Sequence, residues 1–422
     1  MKKITKQGPL RGEFTAPPDK SIGHRAAVLL ALSEGEATIE SFPGAADCHS
    51  TLGALRTLGV SLEVSENQTV RVLGRGRAGF QSPAGVVDCG NSGTTARFLS
   101  GVISAIDGLR AALDGDASLR RRPMARVSKP LRQMGARFES DTLPMMIEGK
   151  SLHGISWFDE KSSAQVKSAI LLAGLAAKGE TTYDAPLVSR DHTERMMRFL
   201  GAAVSTQGTR VTITPGSLTA RPLRIPGDPS GAAFLLGAAL LIPGSSVVAR
   251  GVCLNPGRMG LYRVLQSMGA ELTWRETEES AGEPIGELAA RFSLLQGLRP
   301  PKAEVPSMID ELPLLAVIAT QAQGETLIEG AAELRVKESD RIDAICQNLT
   351  RMGANIEGLP DGFRVVGPTP LRGAEIHSFE DHRIAMAMTV AAMIAEGESL
   401  LDNEAVVGIS FPSFFEVLGS LL

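Results

Sequence analysis

ALRTLG, residues 54–59, recurs along the chain as PLRQMG at 130–135, MMRFLG at 196–201, VLQSMG at 264–269, NLTRMG at 348–353 and FFEVLG at 414–419. Subtracting the closing positions gives spacings of 76, 66, 68, 84 and 66 residues, a regularity that marks an internal repeat. Each copy is preceded by an apolar run with its own glycine, Gly35, Gly108, Gly179, Gly244, Gly324 and Gly397, 22 to 29 residues upstream. The chain therefore reads as six similar units.

One unit can be built from its parts. An apolar helix stops at a C′ glycine, where the left-handed conformation costs little. A β-prone segment follows, as in TTYDA after Gly179 or TLIEG after Gly324, then a second helix closing at the next glycine, then another strand-like run such as VSLEV, AELTW or ANIEG. The unit is β-α-β-α-β-β. Its first helices, such as AILLAGLAA, AAFLLGAALLI and IAMAMTVAAMIA, are apolar nearly all round and belong at a domain centre. Its second helices, such as TERMMRFLG, are amphipathic and belong outside. This predicts an α/β (α+β) fold of two similar domains, each of three units around buried parallel helices. The Asp19 region and Pro226-Gly227-Asp228-Pro229-Ser230 each follow a PLR segment and precede an apolar helix. The crossings are placed there, giving one domain from residues 1–15 plus 226–422 and another from 16–225.

Composition narrows the function. The 422 residues are 43% hydrophobic and 21% charged with a net charge of −4, which excludes a sequence-independent nucleic-acid binder. Apolar stretches such as Gly231–Gly244 fall short of the roughly 20 residues that span a bilayer. The start, MKKITKQGPLRG, has no apolar run behind its lysines and does not read as a signal peptide. Four scattered cysteines, Cys48, Cys89, Cys253 and Cys346, lack CxxC spacing and read as reduced thiols in a cytoplasm.

The polar residues gather at predicted helix starts. PPDKSIGHR, residues 17–25, sets Lys20, Ser21, His24 and Arg25 around Asp19 just ahead of an apolar helix. Cations sit badly beside the positive end of a helix unless an anion is bound, so the arrangement suits a phosphate or carboxylate. An ordinary N-cap with a solvated basic turn explains it equally well. GNSGTTAR at 90–97, KSSAQVKS at 161–168, GDPSG at 227–231 and FEDHR at 379–383 occupy equivalent positions. RRRP at 120–123 reads as a solvated basic face, and ELRVKESDR at 333–341 as acids and bases paired at helical spacing.

PPDKSIGHR, GNSGTTAR, GDASLRRRPM, SAQVKSAILLAGL, SRDHTE, IDELP, ELRVKESDRI and FEDHRIAMA stand in this order over nearly the whole chain. Together they resemble the 5-enolpyruvylshikimate-3-phosphate synthase family, whose members have two three-unit domains and bind their ligands in the cleft. The resemblance implies transfer of the enolpyruvyl group of phosphoenolpyruvate to the 5-hydroxyl of shikimate-3-phosphate, in a cytoplasmic monomer with no cofactor and no metal. Lys20, Ser21 and Arg25 match residues that bind shikimate-3-phosphate, with Lys20 also facing the phosphoenolpyruvate phosphate. Ser163, Ala164, Gln165, Ser189 and Arg190 match the wall around the sugar phosphate, and Asp310 and Lys337 the contacts to the ring hydroxyls. Gly93, Arg122, Arg341 and Arg383 match the phosphoenolpyruvate site, with Glu338 and His382 beside its methylene carbon. The implied proton-handling residues are Lys20, Asp310, Glu338 and His382. The same resemblance puts the inhibitor glyphosate in the phosphoenolpyruvate site. Pro18 and Gly23 depart from the family's usual glycine and serine, and Ile409 stands where its enterobacterial members carry a lysine. Two rival readings are an enolpyruvyl transferase acting on UDP-N-acetylglucosamine and a non-catalytic scaffold. Ala117 stands where the first of these carries a cysteine, and the charged residues that the second would have lost are all present.

Overall fold

The computed structural model describes all residues, 1–422, and the chain divides into two compact units. Unit 1 comprises Met1–Pro17, Gly227–Glu278 and Pro284–Leu422; unit 2 comprises Pro18–Pro226 with Glu279–Glu283.

Unit 2 holds helices α1 (Lys20–Leu32), α2 (Ala46–Thr57), α3 (Gly93–Ser104), α4 (Ala117–Arg120), α5 (Ala125–Met134), α6 (Ala164–Gly174) and α7 (His192–Phe199). Unit 1 holds α8 (Pro229–Leu241), α9 (Gly260–Ser267), α10 (Leu312–Ala319), α11 (Arg341–Arg351), α12 (His382–Ile394) and α13 (Phe414–Leu421). There are six sheets, three in each unit, and their shared plan is the repeat seen in the sequence. In the sheet of Ser156–Phe158, Thr181–Asp184, Arg210–Ile213 and Val204–Gln207, the first pair is parallel and the next two pairs are antiparallel. The sheet of Val87–Asp88, Arg110–Asp114, Met145–Glu148 and Arg137–Phe138 repeats that order.

The all-apolar helices α1, α3 and α6 of unit 2 and α8, α10 and α12 of unit 1 are buried along almost their whole length. Their backbones pack closely: a Cβ added at Gly101 of α3 would lie 2.4 Å from the carbonyl oxygen of Ala169 in α6. The amphipathic helices α2, α5, α7, α9 and α11 cover these centres and bury one face each.

The repeat glycines behave in two ways. Gly59, Gly201, Gly269 and Gly353 stand one residue past the C-cap of α2, α7, α9 and α11, with φ between +90° and +97°, as a C′ glycine should. The glycines after the buried helices also have positive φ but are not C′ residues. Gly35 and Gly179, for instance, follow the C-caps Ser33 and Leu175 of α1 and α6 by two and four residues and belong to the turn or strand beyond. Gly419 departs entirely, because it lies inside α13.

Candidate active site

In unit 2 the first turn of α1 is fixed by Asp19, a buried N-cap whose carboxylate accepts from Ile22 N at 2.9 Å. Lys20, the first helical residue, reaches Asp47 of α2, Nζ to Oδ2 2.9 Å, with both side chains 18% exposed. Arg25 lies one turn further in and is 4% exposed. Its guanidinium donates to Thr193 Oγ1 at 2.7 Å, the Ser21 carbonyl at 2.8 Å and Ser168 Oγ at 3.2 Å, and lies 4.8 Å above the Phe98 ring. All of these partners are neutral. Burial pulls Arg25 down to about 10, Glu194 opposing and Arg190 adding to the fall, so it stays a cation at neutral pH. A buried cation held by hydroxyls and a carbonyl keeps most of its charge for an anion.

The start of α3 lies in the same unit. Ser92 caps it, and Gly93 is its first residue. A Cβ on Gly93 would stand 3.5 Å from Arg122 Nη1 and from Arg97 Nη1. Arg122 donates to Asn91 Oδ1 at 2.7 Å, whereas Arg120 pairs with Asp114 at the surface. RRRP is therefore divided: Arg120 is the solvated residue expected, and Arg122 turns toward Gly93. Gln165 accepts from Arg97 and donates to Thr94 Oγ1 at 2.8 Å, joining the starts of α3 and α6. Ser163 caps α6 and Ala164 is its first residue. Ser189 presents a buried hydroxyl with no protein partner, and its carbonyl accepts from Lys167 at 3.2 Å. Lys167 in turn pairs with buried Glu194 at 2.6 Å.

Unit 1 assembles a different set. Arg341, 1% exposed, is the first residue of α11. Its guanidinium meets Asp381 at 2.8 Å, Glu338 at 2.7 Å and Asp310 at 3.3 Å. Burial works hardest against its charge, yet Asp381, Glu338 and Asp310 together outweigh it and hold Arg341 well above its ordinary value. Asp381 is likewise disfavoured by burial, but Arg341 and His382 keep it below the usual carboxylate range. Arg383, the second residue of α12, donates to the Asp310 carbonyl at 3.3 Å and lies 3.7 Å from Glu311 and 3.8 Å from the Asp310 carboxylate. Buried His382 opens α12, and Lys337 pairs with Glu333 at 3.6 Å. The chain enters α12 through Phe379 and Glu380, both at φ 55°. Two successive non-glycine residues in that region cost about 1 kcal/mol or more each, a strain accepted where Asp381 has to be aimed.

The acid–base run 333–341 is not a surface helix. Ala332–Val336 forms a 3₁₀ turn, Lys337 is extended, and the helix begins only at Arg341 behind its N-cap Asp340. That break drives Arg341 inward onto three carboxylates instead of outward into i,i+4 pairs. Both clusters also contain residues that the motifs did not single out: Asp47, Asn91, Arg97 and Thr193 in unit 2, and Asp381, Glu311 and Arg258 in unit 1. Arg258 donates to Asp228 at 2.7 Å and to Ser230 at 2.8 Å, and Ser230 donates to Glu311.

Residues 4–418 match the family model described as EPSP synthase (3-phosphoshikimate 1-carboxyvinyltransferase). A 3-phosphoshikimate 1-carboxyvinyltransferase of Persephonella marina is 42% identical, covering 100% of this chain and 99% of that protein. One from an Anaeromyxobacter species is 47% identical over 99% and 97% of the two chains. The solved EPSP synthase of Acinetobacter baumannii superposes with a TM-score of 0.90 at 40% identity, covering 99% of this chain and 97% of that one. The chain belongs to the EPSP synthase family.

Within that family one departure has a local explanation. Where serine is usual, Gly23 lies on the face of α1 that packs against Pro43, and a Cβ there would come within 2.7 Å of both Pro43 Cδ and Cγ. Pro43 takes the room that a serine would need. Ile409, where some EPSP synthases carry a lysine, ends the 3₁₀ turn Ala405–Ile409 half-buried against the unit 1 core.

Proposed function

We propose that this EPSP synthase family member transfers the enolpyruvyl group of phosphoenolpyruvate to the 5-hydroxyl of shikimate-3-phosphate, releasing phosphate, on the route to chorismate and the aromatic amino acids. The hydroxyl oxygen bonds to the vinyl C2 as its proton leaves, and C3 gains a proton, giving a tetrahedral ketal phosphate. The C–O bond to phosphate then breaks as C3 gives up a proton. Asp310 takes or orients the hydroxyl proton, Glu338 exchanges the C3 proton with His382 beside it, and Lys20 assists at the phosphate and hydroxyl. Arg122, Arg341 and Arg383 stabilise charge on the phosphate and carboxylate as preorganised donors, and the Gly93 turn receives the same substrate. Ser21, Arg25, Ser163, Ala164, Gln165, Ser189 and Arg190 receive the sugar phosphate, and Lys337 joins Asp310 at the ring hydroxyls.

The observation that carries this reading is the buried Arg341 with Asp310 and Glu338 on its guanidinium. Two carboxylates fixed by one cation are the acid–base pair that an addition and an elimination at neighbouring carbons require. The test is phosphate release from phosphoenolpyruvate with shikimate-3-phosphate as acceptor, run against UDP-N-acetylglucosamine. Release is expected with the first acceptor, and release with the second alone would overturn the reading. We propose further that the protein works as a cytoplasmic monomer. Its four cysteines are free thiols, and no helix is long and apolar enough to cross a membrane. Sedimentation at working concentration tests the monomer.

A further inference from the structure

A string of short hydrogen bonds runs between the N-terminal halves of α1, α2 and α3 in unit 2. His24 Nδ1 lies 2.7 Å from Thr51 Oγ1, Thr51 Oγ1 lies 2.6 Å from Thr95 Oγ1, and Thr95 Oγ1 donates to Ser92 Oγ at 2.8 Å. All four side chains are at most 1% exposed. The proton order follows from counting hydrogens. The single hydroxyl proton of Thr95 is committed to Ser92, so Thr51 must supply the proton between itself and Thr95. Thr51 has a second acceptor, the Asp47 carbonyl, only at 3.5 Å. Sending its proton there would leave two oxygens facing each other lone pair to lone pair at 2.6 Å. With the Thr51 proton spent, the proton between His24 and Thr51 comes from Nδ1. His24 is thus the Nδ1–H tautomer, and its Nε2, buried without a partner, carries only a lone pair.

His24 is also neutral. Burial drives it down to about 3, with Asp47 and Asp19 opposing the fall and Lys20 and Arg25 adding to it. A neutral ring with its one proton on Nδ1 is what the string needs, and stranding Nε2 is the cost of that choice.

The string lies in step with the site. His24 follows Lys20 by one turn of α1, and Thr51 follows Asp47 by one turn of α2, so Lys20–Asp47 and His24–Thr51 are successive rungs between the same two helices. The second rung continues to α3, where Ser92 also caps the helix by accepting from Thr95 N at 3.2 Å. We propose that Thr51 is a positioning residue that couples the helix carrying Lys20 to the helix opened by Gly93, fixing the spacing of two groups that meet phosphoenolpyruvate. The proposal rests on the assignment of Lys20 and Gly93 to that substrate.

The experiment uses the full-length enzyme carrying Thr51→Val, which keeps the shape and removes the hydroxyl, with Thr51→Ser as rescue and Arg122→Ala as control. In Thr51→Val, the KM for phosphoenolpyruvate is expected to rise about tenfold, roughly 1.4 kcal/mol by the usual conversion. The kcat should change less than threefold and the KM for shikimate-3-phosphate less than twofold, and Thr51→Ser should restore all three. Where Thr51→Val fails to fold, Thr95→Ala cuts the same link at its next member and gives the same split. Nitrogen-15 NMR of histidine-labelled protein should show His24 protonated at Nδ1 and bare at Nε2. An Nε2–H tautomer, or a Thr51→Val enzyme that loses thermal stability with an unchanged KM, would overturn the coupling. If Arg122→Ala raises the KM and Thr51→Val does not, the substrate assignment survives and the coupling fails. If neither raises it, the assignment fails and takes the coupling with it.

Discussion

The two units place polar groups at the starts of buried helices, yet they spend charge differently. In unit 2 Arg25 donates to two hydroxyls and a carbonyl, Arg122 to an asparagine and Arg97 to a glutamine, while Lys20 and Lys167 pair one to one with Asp47 and Glu194. In unit 1 three arginines, Arg258, Arg341 and Arg383, are set among five carboxylates, Asp228, Asp310, Glu311, Glu338 and Asp381. The same repeat thus yields arginines resting on neutral acceptors in one unit and arginines shared among several carboxylates in the other. Helix starts supply the frame, and the balance of acids against bases decides what each frame does.

Removing the hub of the acidic cluster should have the largest effect. Arg341→Met leaves Asp381, Glu338 and Asp310 facing one another without their shared cation, and should cost about 3–5 kcal/mol of stability. Urea unfolding of wild type and variant measures it, and a loss below about 1 kcal/mol would mean that unit 1 does not depend on this charge pairing. Removing the acids themselves should spare the fold and stop the chemistry. Asp310→Ala and Glu338→Ala are each expected to lower turnover at least about a hundredfold, with Lys20→Met in unit 2 doing the same. If only Lys20→Met were impaired in steady-state assays, proton handling would belong to unit 2 and the contrast drawn above would fail.

The neutral, buried His24 of unit 2 has its own test. His24 has a folded value near 3 against about 6.5 in the unfolded chain, so the folded protein excludes a proton that the unfolded chain takes up. Its contribution is fully present above about pH 6.5 and is lost as the pH falls toward 3. Between pH 7 and pH 5 this amounts to about 2 kcal/mol. Unfolding free energies at the two pH values should therefore differ less in His24→Asn than in wild type by that amount, and equal differences would show that His24 titrates normally. The smallest expected effect is at Gly93. The added methyl of Gly93→Ala meets its neighbours only at 3.5 Å or more, so stability should hardly change and any effect falls on the ligand. Glyphosate, longer than phosphoenolpyruvate, should feel the methyl first, its inhibition constant rising more than the KM by about 1 kcal/mol. A proportional rise in both constants would sink the steric argument.

Much of this architecture was legible in the chain. The ALRTLG-type endings mark helices α2, α5, α7, α9 and α11, because a left-handed residue after a helix leaves a glycine that any reader can count. FFEVLG misled at Gly419, since a glycine at a surface helix position looks the same in sequence as one at its end. The candidate site was legible as motifs and illegible as pairings. Nothing in the spacing joins Lys20 to Asp47, Arg25 to Thr193 or His24 to Thr51, because those contacts are made between helices brought together only by packing. Asp381 and Glu311 stood inside quoted motifs and were still passed over. Their importance lies in burial beside arginines, and burial of one acidic side chain leaves no periodic trace.

The strand Lys2–Thr5 pairs antiparallel with Glu398–Leu401, and Arg11–Thr15 lies parallel to Ser246–Arg250. Unit 2 is therefore interposed in sequence between strands of unit 1 that must find each other. The buried helices of unit 2 come from one continuous stretch of chain, whereas the sheet holding Lys2–Thr5 closes only by pairing with Glu398–Leu401. Closing so long a loop slows that final step far more than it weakens the finished sheet. The pairings of widest sequence separation in unit 1 are thus the expected slow step of folding, and they stand in the same sheets as pairings far closer in sequence.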